Sequence, residues 1–258
     1  MPRRSRLHIP QHHSRPGEEP DFSYLETSPA GAVPRPDVNA RVRDIGNLSI
    51  DLVRVLDDNH VAVGQWNPHL EVQDLQIGLR HMLLTRIFDD RMQRAQRQGK
   101  TSFYMRCLGE EAVSVAQGMA LRPKDMLFPA YRNQGLYVVR GRPLVDPMCQ
   151  LLSNTRDMCK GRQLPVMYHW AEGRIFSISG NLTTQFPQAV GWAMAAAIKG
   201  EDDIAVSWIG EGSSAEADFH HAMLFASVYM APVILNVVNN QWAISTFQGF
   251  AGGEQRSF

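Results

Sequence analysis

The 258-residue chain carries 26 Lys+Arg against 26 Asp+Glu, a formal net charge of zero that excludes general attraction to nucleic acid or to an anionic membrane surface. Its three cysteines, Cys107, Cys149 and Cys159, are scattered without metal-ligand spacing, which favours reduced thiols in a cytoplasmic setting over a disulfide framework or a zinc site. The length suffices for one sizeable core, and no apolar run approaches the roughly 20 residues that span a bilayer.

Residues 1–45 read as an irregular arm. Arg3, Arg4, Arg6, His8, His12, His13 and Arg15 are mixed with prolines in a pattern that makes no amphipathic helix and buries no core. A secretory signal would need an apolar stretch that is absent, and Glu18, Glu19 and Asp21 argue against a mitochondrial presequence. Residues 46–258 are expected to form one domain. Helices are predicted over 40–56 and 70–98, the second with Leu75, Ile77, Leu79, Met82, Leu83, Ile87 and Met92 as its apolar positions. Residues 110–121 give a third, rich in small side chains. Residues 185–199 give a fourth, in which the Ala-rich stretch from Val190 offers a small-residue face for another backbone, although alanine is also simply the best helix former.

The most informative segment runs from 204 to 245. Ile204, Ala205, Val206, Ser207, Trp208 and Ile209 form a short, nearly uncharged run suited to a strand buried on both faces, ended by Gly210. Ser213 and Glu216 have capping-box spacing, so a helix is expected from Ser213 or Ser214 with its free amides directed toward Glu211. Phe219, Ala222, Met223, Ala226 and Met230 form its apolar stripe, and Pro232 stops it. Residues 233–238 are a second β-branched run, and this strand–helix–strand order implies parallel strands ending on one edge. A carboxylate, Glu211, and a carboxamide, Asn240, then stand together. Magnesium takes about six hard oxygens at roughly 2.0–2.1 Å, commonly one or two from protein and the rest from phosphate and water. A helix start beside glycines suits the phosphate. Alone, Gly-Glu-Gly is an ordinary turn and Asn-Asn an ordinary strand exit; their pairing in one unit favours a metal-bridged phosphate.

Several further motifs accompany this unit: Ser102-Phe103-Tyr104-Met105, Leu108-Gly109-Glu110-Glu111-Ala112, Phe128-Pro129-Ala130-Tyr131-Arg132, Gly161-Arg162-Gln163-Leu164-Pro165, and the stretch from Ile178 through Ser179, Gly180, Asn181, Leu182, Thr183 and Thr184 to Gln185. With Gly210-Glu211-Gly212 and Asn239-Asn240-Gln241-Trp242-Ala243-Ile244-Ser245, the chain closely resembles the alpha subunits of the decarboxylating component of branched-chain 2-oxo acid dehydrogenase complexes, from about Asp21-Phe22-Ser23-Tyr24-Leu25 to its last residue. The resemblance implies an α/β fold of thiamine-diphosphate type, with a parallel sheet flanked by helices. It also implies oxidative decarboxylation of branched-chain 2-oxo acids with acyl transfer to a lipoyl carrier. The partners it implies are a beta subunit in an alpha2beta2 heterotetramer and a lipoyl-bearing acyltransferase.

The resemblance assigns roles position by position. Glu211, the Asn240 side chain and the backbone carbonyl of Trp242 would bind magnesium; many relatives carry Asp at Glu211. Tyr131 and Arg132 would hold the diphosphate, with Gly210, Gly212 and Ser213 beside it. Gly180 and Leu182 would wrap the cofactor. Ser179, Asn181, Thr184 and Gln185 match a loop that binds potassium, and Phe103 with Leu182 would line the acyl pocket. The plainer reading for Tyr131-Arg132 is a solvated loop, for residues 179–185 a capped helix entry, and for Phe103 and Leu182 core packing. Val238 replaces an arginine found near the diphosphate in animal relatives, and Met167 replaces a histidine of some relatives, with His169 nearby. No catalytic acid or base is expected within this chain: the activating glutamate would come from beta, and a histidine-bearing loop would follow Phe258, so the 258 residues read as an amino-terminal portion without turnover of its own. The nearest alternative is a pyruvate or acetoin dehydrogenase alpha subunit. A non-catalytic subunit-binding chain is another, and a magnesium-dependent phosphatase lacks its nucleophilic aspartate.

Overall fold

The computed structural model describes residues 28–251 together with Ile9, Gln11, residues 17–19 and Asp21. The basic positions of the arm, Phe22 to Leu25 of the resemblance, and Gly253 to Phe258 lie outside the described residues. The chain divides into two compact units, one of residues 72–240 and one of residues 1–71 with 241–258.

In chain order the larger unit contains α1 (Val72–Arg97), α2 (Glu111–Ala120), β1 (Met126–Phe128), α3 (Gln134–Val139), α4 (Val145–Leu151), α5 (Gln185–Lys199), β2 (Ala205–Gly210), α6 (Ala217–Val228) and β3 (Val233–Val238). The strands form a parallel sheet in the order β1-β2-β3, with Phe128 opposite Ser207 and Gly210 opposite Val238. Beyond β1 the segment at 174–176 runs alongside, its Phe176 amide donating to the Leu127 carbonyl at 2.8 Å. The sequence reading assigned β2, β3, α2 and α5 within a residue at each end, and did not assign β1, α3 or α4.

Strand periodicity of two distributes side chains to separate cores. From β2, Val206 and Trp208 enter a cluster with Phe88, Leu127, Leu136, Tyr137, Tyr168 and Ile175, beneath α1 and α3. The alternate residue Ile209 packs with Phe186, Val190, Phe219 and Ala222 of α5 and α6, and Ala205 packs with Phe128, Ala189 and Ala193. Trp208 is fully buried, so its indole nitrogen needs an acceptor. It donates to Gln117 Oε1, Gln117 Nε2 donates to Asn236 Oδ1 at 2.7 Å, and Asn236 Nδ2 donates to the Ser207 carbonyl at 3.0 Å. One polar chain thus ties α2, β2 and β3 together. Close approach of α2 and α3 depends on Gly135, where an added Cβ would lie 2.9 Å from Ser114 Cβ.

Two expected helix faces are corrected. In α1 the buried stripe is Thr85, Phe88, Asp89 and Met92; Leu75, Ile77, Leu79, Leu83 and Ile87 are exposed. The helix is oriented by its polar contacts. Asp89, fully buried, accepts from Tyr104 Oη at 3.0 Å, Arg106 Nε at 2.8 Å and the Cys107 amide at 2.9 Å. In α6 Phe219 and Ala222 are buried but Met223 and Met230 are exposed. That helix also starts later than expected: Glu211–Ala215 is a 3-10 turn and the N-cap is Glu216, extended at φ −81°, without a side-chain cap. Ser214 Oγ instead donates to the Glu211 carbonyl at 2.6 Å, and this local bond replaces the capping box.

The helix expected over 40–56 does not form; two 3-10 turns, Val42–Asp44 and Gly46–Ser49, stand there with no buried residue. Without an apolar face to bury, so short a helix has nothing to offset its nucleation cost. From Val53 the chain is extended, and the Val63 amide donates to the Val55 carbonyl at 2.8 Å around a turn in which Asp57 Oδ1 accepts from the Asn59 and Val61 amides. Gly31 and Gly64 meet so closely that a Cβ on Gly64 would lie 2.4 Å from the Gly31 Cα. In the same unit β4 (Trp242–Ala243) pairs antiparallel with β5 (Thr246–Phe247).

Asn236→Leu would strand the Gln117 amide nitrogen, at about 1–3 kcal/mol for a group left without a partner. A lowered urea midpoint is expected; an unmoved midpoint would show that the polar chain does not couple the elements. Glu111 gives a second test. Burial raises its carboxyl pKa, but the Arg86 guanidinium and the backbone amides, including that of Gly109, outweigh burial and hold it below the ordinary carboxylate range. A carboxyl depressed in the folded state stabilises above its unfolded pKa of about 4.3, and that contribution is lost as pH falls through the folded value. Glu111→Gln should therefore lower stability at neutral pH and flatten the acid side of the stability profile, and urea midpoints that keep the wild-type slope would contradict this.

Candidate functional site

Parallel pairing directs β1, β2 and β3 to one edge of the sheet, the edge at which open α/β sheets bind ligands. Three chain segments emerge there: 129–133 after β1, 211–215 after β2 and 239–240 after β3.

After β1, Asn133 shapes the turn. Its Oδ1 accepts from the Ala130 amide at 2.8 Å and its Nδ2 donates to Ser114 Oγ at 3.2 Å, which fixes the backbone carrying Tyr131 and Arg132. The Arg132 guanidinium lies 5.4 Å from the Tyr131 ring centroid and donates through Nη1 to the Arg106 carbonyl. Both residues are partly buried, so this is not the solvated loop of the plainer reading.

After β2, Glu211 is 2% exposed and opens the 3-10 turn in which Ser213 and Ser214 are also buried. Thr183 holds this turn from the facing loop, donating Oγ1 to the Ser213 carbonyl at 2.8 Å. It does so at φ +70°, a left-handed conformation rare for a β-branched residue and one that clusters at functional sites. Glu110, directly before α2, reaches the same place. Burial raises its carboxyl pKa; the Arg132 charge and a side-chain hydrogen bond with Asn240 oppose that rise, while the neighbouring Glu211 and Glu111 charges add to it. Arg132, Glu211 and Asn240 are therefore each within electrostatic reach of Glu110.

The remaining expected residues are distributed as follows. Asn181 donates its amide to Ser179 Oγ at 3.1 Å, Gly180 and Asn181 are exposed, and Leu182 is 38% exposed. Thr184 is the N-cap of α5 and makes no side-chain cap bond. Gln185 is buried; it donates Nε2 to the Trp208 carbonyl at 3.1 Å, and its Oε1 is buried without a hydrogen-bond partner. Phe103 is partly buried and packs on the larger core. Val238 ends β3 opposite Gly210. Met167 is a core residue, and His169 Nδ1 lies 3.4 Å from Cys159 Sγ. Trp242 follows Asn240 in sequence but belongs to the other compact unit, in the β4 hairpin, its ring 5.8 Å from that of Phe247.

Sequence reasoning gave no site role to Glu110, Thr183 or Asn133. Glu110 lay in view within the Gly-Glu-Glu-Ala motif, but adjacent carboxylates look alike in sequence, and only the fold sends Glu111 to Arg86 and Glu110 to the sheet edge. Among the described residues no helix is long and apolar enough to cross a membrane, and no group of three or more His, Cys, Asp and Glu has the arrangement of a metal centre. All three cysteines are free.

Residues 79–253 match the family described as dehydrogenase E1 component, and residues 3–42 match the 2-oxoisovalerate dehydrogenase E1 alpha subunit N terminal. The chain is similar to the 2-oxoisovalerate dehydrogenase subunit alpha of Pseudomonas aeruginosa, 60% identical over 253 residues that make up 98% of this chain and 62% of that protein. It is 39% identical over 194 residues to the mitochondrial subunit alpha 2 of Arabidopsis thaliana, across 75% of this chain and 41% of that one. To the human mitochondrial subunit alpha it is 37% identical over 198 residues, covering 76% and 44% respectively. The chain thus spans about three fifths of the bacterial relative and less than half of the other two. A parallel three-stranded sheet flanked by helices, with Tyr131-Arg132, Glu211 and Asn240 leaving one edge, and a match over residues 79–253 agree: the chain belongs to the dehydrogenase E1 component family.

Proposed function

We propose that this chain is the cofactor-anchoring part of the alpha subunit of a branched-chain 2-oxo acid dehydrogenase. It would work with a beta subunit in an alpha2beta2 enzyme, in the cytoplasm, and pass the acyl group to a lipoyl-bearing acyltransferase. The observation that carries this reading is that the chain exits bearing Arg132, Glu211 and Asn240 all leave one edge of the parallel sheet.

The residues fit thiamine diphosphate with magnesium. The buried Glu211 carboxylate and the Asn240 carboxamide, on neighbouring strand exits, offer hard oxygens of the kind a divalent cation takes. In this reading Glu211 and the Asn240 carboxamide hold the magnesium, and Tyr131 and Arg132 hold the diphosphate. The backbone at Gly210, Gly212 and Ser213 lets the phosphate approach, and Gly180 and Leu182 flank the cofactor. The buried Gln185 Oε1, which lacks a hydrogen-bond partner, suits a potassium ion held with Ser179, Asn181 and Thr184. Phe103 and Leu182 offer apolar surface to the acyl side chain.

When bound, thiamine diphosphate supplies the nucleophilic carbon and the electron sink for loss of carbon dioxide. This chain's residues do the positioning. Arg132 is held by the Arg106 carbonyl and the Tyr131 ring, so its charge is already placed before an anion arrives. Glu211 is fixed by the 3-10 turn, which Ser214 and Thr183 brace from two sides.

Glu211→Ala should abolish magnesium-dependent binding of thiamine diphosphate by calorimetry, and unchanged binding would refute its metal role. Arg132→Ala removes charge-assisted hydrogen bonds worth about 1.5–3 kcal/mol, so cofactor affinity should fall roughly 10- to 150-fold. The overall reading is tested with the complete reading frame, produced together with its beta partner, by comparing decarboxylation of 3-methyl-2-oxobutanoate and pyruvate. Preference for the branched acid is expected; preference for pyruvate would overturn the substrate assignment.

A further inference from the structure

Asp89 orients α1, but its hydrogen bonds reach beyond that helix. Its Oδ1 accepts from Tyr104 Oη at 3.0 Å and from the Cys107 amide at 2.9 Å, and its Oδ2 accepts from Arg106 Nε at 2.8 Å. The Arg106 guanidinium is also paired with Asp90. Segment 104–107 is thereby fastened to α1. The same segment receives the chain exit of β1: Arg132 Nη1 donates to the Arg106 carbonyl, and Gln134 Nε2 donates to the Met105 carbonyl at 3.1 Å.

Two of these bonds share one peptide. The Arg106 carbonyl and the Cys107 amide belong to the same planar unit, and no cis peptide bond occurs among the described residues, so the N–H and the C=O point in opposite directions. The Asp89 carboxylate takes one end and the Arg132 guanidinium takes the other. Holding the N–H therefore aims the C=O. The carboxylate also strengthens it, because hydrogen bonds in series polarise one another and a negative charge at the amide makes the carbonyl oxygen a better acceptor. Asp89 and Cys107 are both buried, so water does not compete for the amide.

We propose that Asp89 is a positioning residue for Arg132, acting through the Arg106–Cys107 peptide to hold the guanidinium where the diphosphate is bound. This rests on the diphosphate role proposed above for Arg132. A guanidinium carries five N–H donors in a fixed fork, so one given to the peptide leaves the remainder for an anion. Placing the long side chain beforehand lowers the ordering cost that binding would otherwise carry.

The test is a calorimetric titration of thiamine diphosphate, with magnesium present, into the complete reading frame produced with its beta partner. Asp89→Leu removes the acceptor and should weaken binding about 2- to 12-fold, the worth of one hydrogen bond, and less than Arg132→Ala does. Asp89→Asn keeps an oxygen for the Cys107 amide but not the charge, and should weaken binding by a smaller factor. Both losses should disappear in an Arg132→Ala background, because the two residues act in series. Asn236→Leu is the control for lost stability alone: its urea midpoint should fall while its cofactor affinity stays unchanged. Unchanged affinity in D89N, or equal losses with and without Arg132, would overturn the proposal; where D89L yields no folded enzyme, D89N and its combination with R132A decide alone. If Arg132→Ala itself left the affinity unchanged, the diphosphate role would fall and this inference with it. Weakened binding in R132A beside unchanged binding in D89N would remove the positioning role only.

Discussion

Parallel pairing of β2 with both β1 and β3 is the constraint on which the rest of the larger unit depends. Two parallel strands cannot be joined by a tight turn, so each connection must cross a face of the sheet and carry helix with it. Both faces of β2 are consequently covered, with Val206 and Trp208 in one core and Ile209 in another. The same constraint sends all three strand ends to one edge, where their chain exits carry Arg132, Glu211 and Asn240 without any further device. The polar chain from Trp208 through Gln117 to Asn236 satisfies the groups that this double burial would otherwise strand.

Charged groups in this unit fall into two kinds. Asp89 and Glu111 are buried carboxylates saturated by local donors: Tyr104, Arg106 and the Cys107 amide for the first, Arg86 and the Gly109 amide for the second. They hold α1 and α2 to the loop at 104–110. At the sheet edge the balance differs: burial raises the Glu110 carboxyl pKa, the Arg132 charge opposes that rise, and the Glu211 charge adds to it. The saturated carboxylates build the frame, and the edge group is where a ligand can act.

Legibility in the sequence followed the range of the forces involved. Residues 205–210 and 233–238 were readable because a buried strand needs a contiguous apolar run, and α5 because Gly200 marks its end in a left-handed conformation at φ +76°. The stripe of α1 was misread because seven apolar residues are compatible with several helix faces, and the face was selected by Asp89 and its partners. Ser213 and Glu216 have the spacing of a capping box, but Ser214 bonded backward to Glu211 and the helix began at Ala217. Residues 40–56 form no helix because they present no apolar face to bury, and the two 3-10 turns that stand there contain no buried residue.

By itself the sequence determined the chemistry available: a carboxylate and a carboxamide at the ends of two apolar runs, an arginine in the Phe128-Pro129-Ala130-Tyr131-Arg132 motif, and a chain without net charge to draw it to nucleic acid or membrane. Those are properties of residue type and local order. The tertiary structure alone decided that Glu111 rather than Glu110 pairs with Arg86, that Thr183 would brace the Ser213 turn from a left-handed backbone, and which edge of α1 is buried. These outcomes depend on partners up to 30 residues away, and a hydrogen bond or ion pair between distant residues leaves no periodicity in the chain that forms it.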